Sequence, residues 1–123
     1  MDKLLSTEGV RICASEPDID ENTSDFQKLK EIAFGLEKSG NYLRKYSSYK
    51  LKHVFERYLK DVTDGDINHV HNGELIKAME LAGHVWQRCS PSSKNAYFKI
   101  SSRSLKPFAC YLDNFNMRPK SEI

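Results

Sequence analysis

The sequence has no long hydrophobic run, no secretory-type leader and only three cysteines in 123 residues. A transmembrane helix needs about 18 or more consecutive apolar residues, and no run approaches that length. The stretch from Met1 to Glu8 has an early acid and no apolar core, so no secretory signal is predicted. Cys13, Cys89 and Cys110 lie far apart without Cys-x-x-Cys spacing, so neither a disulfide framework nor a zinc knuckle is indicated. These absences favour a reducing, cytoplasmic setting in which the thiols act as small apolar side chains.

Motifs of the common nucleotide-binding and hydrolytic enzymes are also missing. The six glycines are scattered, so the chain has neither a phosphate-binding loop nor a dinucleotide fingerprint. A G-x-S-x-G nucleophile elbow is absent as well. We therefore expect a non-enzymatic protein with no catalytic residue and no cofactor.

The charge that is present is divided unevenly along the chain. Residues 1–37 carry four basic and nine acidic side chains, a net charge of −5, whereas residues 38–123 carry fifteen basic and eight acidic side chains, a net charge of +7. This split predicts an acidic leader in front of a basic body. The alternative is the ordinary unevenness of a solvated surface.

The N-terminal third predicts a short strand, a linker and a helix. Residues 9–14 alternate with apolar side chains at every second position, which predicts an edge strand or a mobile leader. Residues 15–24 are acidic and contain a proline, as is typical of a linker. Ser24 and Gln27 form a capping box that predicts a helix start, and Gly40 is a plausible stop. The apolar face of this helix comprises Phe26, Leu29, Ile32, Ala33 and Leu36.

The middle of the chain predicts two further helices. The clearest apolar stripe in the chain follows a cap at Ser47 or Ser48 and comprises Leu51, Val54, Phe55, Tyr58, Leu59 and Val62. Off that stripe, a basic face is predicted from Lys50, Lys52, His53, Arg57 and Lys60. A shorter helix, capped by Asn72 and stopped by Gly83, has its own stripe, to which Leu75, Ile76, Met79 and Ala82 belong.

The C-terminal third predicts a β-hairpin and a last helix. Residues 84–89 and 95–101 are strand-like and are separated by a serine-rich turn, with Ala96, Phe98 and Ile100 on one face. A helix is expected from near Ser104, with Pro107 tolerated in its first turn. The predicted fold class is α+β: about four helices with a C-terminal β-hairpin, an optional third strand from the N-terminus, and a winged-helix-like order of elements. The predicted divisions are an acidic, partly flexible leader at 1–23, a single domain at 24–114 and a tail at 115–123.

Three stretches of the sequence carry a family resemblance. Residues 48–53, 72–79 and 95–101 read SYKLKH, NGELIKAM and NAYFKIS, and Gly83 follows the second of them. Together they resemble a loose group of small bacterial proteins encoded on plasmids, prophages and integron-type mobile elements. The resemblance covers roughly residues 47–106, and the group often has glycine where this chain has Lys50. It implies a genomic setting and carries over no catalytic residue.

The segment 88–106 is the strongest candidate for a binding surface. Five cations occur there with no acid between them, and Trp86 and Tyr97 are interleaved with the basic residues. A hairpin that presents cations and a planar ring can follow a phosphate backbone. The nucleic-acid-binding residues predicted on this basis are Arg88, Lys94, Tyr97, Lys99, Arg103 and Lys106. The alternative is a solvated hairpin in which Trp86 belongs to the core.

The histidines and cysteines are weaker candidates for a metal-binding or catalytic site. His69 and His71 are spaced to face one way on an extended segment, which is how a metal site begins, but no third ligand follows at a recognisable spacing. A polar loop leading to a helix cap explains the pair, and no metal is predicted. His84 and Cys89 would face opposite sides of a regular strand, so a packed thiol is favoured over a nucleophile pair.

The sequence thus predicts a binding protein, with DNA or RNA as the leading partner and no membrane association. The runner-up is a protein-interaction or inhibitory accessory protein, which could also pair as a homodimer. A third alternative is an unrecognised hydrolase or metal protein around His69 and His71.

Overall fold

The computed structural model describes residues 4–13 and 15–116, with side chains up to residue 112. Four α-helices, one 3₁₀ helix and two short antiparallel hairpins make up this part of the chain, so the α+β prediction is confirmed. In chain order the elements are β1 (Leu5–Ser6), β2 (Gly9–Val10), α1 (Ser24–Gly35), α2 (Ser48–Val62), α3 (Asn72–Leu81), β3 (Trp86–Arg88), β4 (Ala96–Phe98), the 3₁₀ helix (Ser102–Phe108) and α4 (Ala109–Asn116).

Helix α1 begins and ends earlier than its sequence indicates. The capping residue is Thr23, whose Oγ1 accepts the Phe26 amide at 3.0 Å, so the capping role predicted for Ser24 is wrong by one residue. At the other end Leu36 is already extended, and Gly40 lies beyond the helix. The helix stops there because the following segment pairs with the chain after β4, where the Ser101 amide donates to the Glu37 carbonyl at 2.9 Å.

Helix α2 keeps most of its predicted stripe. Ser47 is the cap, and Leu51, Val54, Phe55 and Leu59 are buried. Two positions differ from the expectation: Val62 is exposed, and Lys52, expected on a solvated basic face, is buried. The buried lysine stem has consequences for the pocket described below.

Helix α3 starts one residue earlier than predicted. His71 occupies the cap position, and Glu74 Oε1 accepts the His71 amide at 3.1 Å. Asn72, predicted as the cap, is the first helical residue and is buried. Gly83 follows the helix end with a φ of 89°, a conformation that favours glycine.

The predicted C-terminal hairpin is present, and its last helix is divided. Strands β3 and β4 pair with Trp86 opposite Phe98 and Arg88 opposite Ala96. Ala96, Phe98 and Ile100 are buried, as their alternation predicts. Beyond β4 the chain winds as a 3₁₀ helix through Pro107 before α4 begins, since proline lacks the amide that an α-helical turn would use.

The N-terminal strands form a separate sheet and dock on α3. Strand β2 pairs with β1 and not with the hairpin, so the optional third strand joins a sheet of its own within the described residues. Ile12 is exposed, and Ala14 lies outside the described residues. The winged-helix comparison stays a prediction. Leu5 and Val10 are nevertheless buried in the same core as the helices, so the acidic leader contributes to the fold.

No helix in the described ranges is long and apolar enough to cross a membrane. The core lies between α1, α2, α3 and the inner face of β4, and its largest fully buried side chains include Phe26, Phe55, Phe98, Leu29, Leu75 and Met79.

Glu16 connects the N-terminal leader to the turn before β4 through hydrogen bonds and an ion pair. Its carboxylate accepts the Ser6 hydroxyl at 2.7 Å and the Cys13 and Ile12 amides at 2.9 and 3.2 Å. Lys94 Nζ lies 2.7 Å from the same carboxylate. The lysine, followed by the hydroxyl and amide donors, lowers the pKa of Glu16 to about 2.

We expect this contact to be lost in acid. A carboxyl whose pKa is lowered by folding stabilises the folded state above its unfolded value of about 4.3, and this stabilisation disappears as the pH falls toward about 2. Urea unfolding measured across that window should therefore show a flatter pH dependence for Glu16→Gln than for the wild type. Glu31→Gln, at an exposed glutamate of α1, is the matched control and should keep the wild-type slope. Equal slopes for wild type and Glu16→Gln would contradict the assignment.

Candidate nucleic-acid interface

Lys94, one of the predicted binding cations, is already paired with the acidic leader. Its Nζ lies 3.2 Å from a Glu8 carboxylate oxygen and 2.7 Å from Glu16. Partial burial acts against the charge, but the two carboxylates outweigh it and raise the pKa of Lys94. The leader thus neutralises the cation that the sequence placed at the tip of the hairpin.

Arg103 is matched in the same way by a distant acid. Its Nε and Nη2 donate to Glu37 at 3.1 and 2.9 Å in a two-pronged pair. The pair raises the pKa of Arg103 and lowers that of Glu37. Both side chains are solvent-exposed, so the contribution to stability is small, but the charge of Arg103 is balanced.

Arg88 lies on the face of the hairpin opposite Tyr97, and Lys106 lies in the 3₁₀ helix that follows the hairpin. Arg88 shares its face of the sheet with its cross-strand partner Ala96, and its Nε donates to the Ser93 carbonyl at 2.7 Å. Lys106 is exposed on the 3₁₀ helix. The six predicted residues therefore do not form one surface, although each stays a candidate contact.

Tyr97 and Lys99 remain together on the outer face of β4. Alternation turns them away from Ala96 and Phe98, which are buried on the inner face. Gln87 pairs with Tyr97 across the hairpin and is exposed on the same outer side. The predicted hairpin thus supplies one ring and one cation to a common surface.

A second segment completes that surface. Residues 37–43 run beside the end of β4, where the Leu43 amide donates to the Phe98 carbonyl at 2.9 Å and the Ser39 amide to the Lys99 carbonyl at 3.1 Å. These bonds bring Tyr42 and Arg44 next to the hairpin.

Two cations and two aromatic rings alternate across this surface. The Arg44 Cζ atom lies 5.1 Å from the Tyr97 ring centroid and 5.8 Å from that of Tyr42. Lys99 Nζ lies 5.1 Å from the Tyr42 centroid. Distances below about 6 Å correspond to favourable cation–π contacts. We call the set Lys99, Tyr42, Arg44 and Tyr97 the cation–aromatic ladder.

No carboxylate in the described part of the chain neutralises the charges of the ladder. Within the described residues, neither Arg44 nor Lys99 takes part in an ion pair, in contrast to Lys94 and Arg103. Arg44 is exposed, and Lys99 is half-buried. The neighbouring Lys45 adds a cation 5.6 Å from the Tyr46 ring centroid. The surface is therefore suited to a ligand that carries negative charge and planar groups.

Sequence reasoning missed Tyr42 and Arg44, although a signal was present. The run Tyr42-Leu43-Arg44-Lys45-Tyr46 interleaves aromatic and basic residues within five positions. It was overlooked because it lies in a connection between two helices, far in sequence from the hairpin. Cys89 lies nearby: burial raises the pKa of its thiol, while Tyr97 and Arg44 act in the opposite direction.

His69 and His71 lie together at the surface, whereas His84 is buried. No group of three or more suitable ligands occurs among the residues that the structure describes. His69 Nδ1 lies 2.9 Å from Glu56 Oε2, and its ring meets that of His71 edge to face at 4.4 Å. His84 Nε2 lies 2.7 Å from the Ala33 carbonyl oxygen, deep in the fold. Burial lowers the pKa of His84, because desolvation disfavours the charged imidazolium.

Comparisons with known proteins give no further guide: no family model matches the chain, and neither the curated proteins nor the solved structures return a significant match.

Proposed function

We propose that the protein binds single-stranded nucleic acid through the cation–aromatic ladder. The observation that carries the proposal is the alternation of Arg44 and Lys99 with two tyrosine rings on an open face of the hairpin. Single-stranded ligands are favoured over duplexes because their unpaired bases can stack on aromatic rings, while cations follow the phosphates. The corresponding site is centred on Tyr97 and Lys99 of the predicted set, with Tyr42 and Arg44 added.

The remaining predicted cations have secondary roles in this proposal. Lys94 and Arg103 face their own carboxylates, so a phosphate would first have to displace an existing ion pair. Arg88 and Lys106 lie outside the ladder and would contact only a strand that extends beyond it.

Fluorescence anisotropy with labelled single-stranded and duplex oligonucleotides at two salt concentrations tests the proposal. Tyr97→Leu should weaken single-strand binding by about fivefold or more, since base–aromatic stacking contributes about 1–3 kcal/mol per base. Tyr97→Phe should bind like the wild type because it keeps the ring. Lys99→Gln should reduce the slope of log affinity against log salt by about 0.7.

Lys106→Gln is the matched control for Lys99→Gln. It removes the same charge outside the ladder, so it should leave the affinity for an oligonucleotide no longer than the ladder nearly unchanged. A folded wild type that fails to bind at low salt would overturn the proposal, as would equal losses in Lys99→Gln and Lys106→Gln.

A further inference from the structure

A second feature, a pocket of about 380 Å³, lies where four segments meet. The turn between β1 and β2, the start of α2, the start of α3 and the residues just before β4 enclose it. Its lining contains no aliphatic residue, and the side chains that matter most are Tyr49, Lys52, His69, His71 and Asn72. Ring faces and side-chain stems give the pocket a mainly apolar surface with a few polar groups at its edge, an arrangement typical of small-ligand recognition.

Lys52 is the unusual member of the lining. The residue is only 9% exposed, and its ammonium group has no hydrogen bond or ion pair within the described part of the chain. Its one specific contact is the Tyr49 ring, whose centroid lies 6.0 Å from Nζ. The aliphatic stem of Lys52 is buried while its ammonium group reaches the pocket, as is common for long lysine side chains. The lysine therefore presents to the pocket a positive charge that pairs with no carboxylate of the described residues.

The two imidazoles at the rim add hydrogen-bonding capacity. Glu56 Oε2 accepts the Val70 amide at 2.8 Å and lies 2.9 Å from His69 Nδ1, so the carboxylate holds a proton on that nitrogen. Nε2 of His69 is then the nitrogen available to a ligand. His71 packs edge to face on His69 and is exposed at the same rim.

The charge balance of the lining favours an anion. Glu8 is the only carboxylate among the lining residues, and Lys94 lies 3.2 Å from it. The lining itself therefore carries two lysines against one carboxylate, while Glu16, the other partner of Lys94, lies outside the lining. This excess of positive charge disfavours a metal ion, in agreement with the absence of a ligand cluster in the described ranges.

We propose that this pocket binds the phosphate group of a phosphate monoester. Lys52 supplies the counter-charge, and the rim imidazoles and the Tyr49 hydroxyl supply hydrogen bonds to the remaining oxygens. A phosphate, unlike a carboxylate, presents three terminal oxygens and so can use several donors that converge from different elements. This proposal does not depend on the ladder.

The phosphate has two chemical sources. One is a small monoester such as a mononucleotide, and the other is the terminal phosphate of a nucleic-acid strand. The second source is sterically reasonable because Asn95 of the pocket and Tyr97 of the ladder are two residues apart along β4, about 7 Å at 3.3 Å per residue.

Titration calorimetry with inorganic phosphate and with adenosine monophosphate tests the pocket directly. The wild type should bind, and Lys52→Met should weaken binding by about tenfold or more, as expected for loss of the lysine in the lining that has no ion pair within the described residues. Lys60→Met, at an exposed lysine of the same helix, should bind within about twofold of the wild type. Methionine keeps the buried apolar stem and removes only the charge, so the variant is expected to remain folded.

His71→Gln provides a second variant at an exposed position, and it should weaken phosphate binding without loss of fold. Oligonucleotides with and without a 5′-phosphate distinguish the two sources of the phosphate. If the wild type prefers the phosphorylated strand and Lys52→Met loses that preference, the ligand is the strand end. If the wild type shows no preference, the ligand is the small monoester. The proposal is overturned by a folded wild type that binds neither phosphate probe, or by affinities that Lys52→Met and His71→Gln leave unchanged. Tyr97→Leu should retain phosphate binding, which keeps this outcome distinct from failure of the ladder.

Discussion

Replacing Gly73 with alanine should separate the N-terminal hairpin from α3 and lower the free energy of unfolding by about 2–4 kcal/mol. A β-carbon built on Gly73 would lie 1.6 Å from the Ser6 carbonyl oxygen and 2.7 Å from its carbon. Both atoms belong to the backbone, so no side-chain rotation relieves the clash. The hairpin must move, and Leu5 and Val10 then lose burial in the core.

The sign of this effect is opposite to the usual one. In a helix, glycine is less favourable than alanine by about 1 kcal/mol, so Gly→Ala normally stabilises. Gly35, the last residue of α1, is the matched control because a β-carbon there meets nothing within 4 Å. Urea unfolding should show Gly35→Ala slightly more stable than the wild type and Gly73→Ala much less stable. Stabilisation by both substitutions would mean that the hairpin does not approach α3 closely.

The spacing of apolar residues along the sequence predicted which side chains of a helix or strand are buried, wherever that spacing alone decides the buried face. The stripe of α2 and the alternation of Ala96, Phe98 and Ile100 both reach the core as expected. The exact ends of the helices were less predictable because neighbouring residues of similar type compete for the same role, as Thr23 and Ser24 do at the start of α1.

Lys52 shows a limit of helical patterning. It precedes Phe55 by three residues and Leu59 by seven, so its stem lies along the edge of the apolar stripe. Whether such a flanking lysine is solvated or buried depends on what packs there. Here the N-terminal turn and the start of β4 enclose it, and neither contact is visible in the helix's own sequence.

The candidate interface was only partly predictable for a related reason. The basic composition of residues 88–106 is a property of the sequence, but the partners of its cations are not. Arg103 meets Glu37 across a separation of 66 residues, and Lys94 meets the leader. Charge counting along the chain cannot distinguish a cation already balanced in this way from one that faces solvent, such as Arg44.

Truncating Phe55 to alanine should lower the free energy of unfolding by about 3–5 kcal/mol, the range for a buried aromatic ring. Phe55 is fully buried in α2, and its ring meets that of Phe108 edge to face at 5.1 Å. Phe108 also contacts Tyr58 at 5.0 Å, so the ring of Phe55 supports the docking of the 3₁₀ helix on α2. Its removal leaves a cavity and loosens that contact.

Phe34→Ala is the matched control because it makes the same change at a side chain that is 62% exposed on α1. Its effect should stay within about 0.5 kcal/mol, since little apolar surface is returned to water. A double-mutant cycle between Phe55→Ala and Phe108→Ala, followed by urea unfolding, should give a coupling of about 0.5–1.5 kcal/mol for the aromatic pair. If the two changes in unfolding free energy are additive, the two rings stabilise the protein independently and the 3₁₀ helix is held by its other contacts. If Phe34→Ala and Phe55→Ala lose equal stability, the core lies elsewhere.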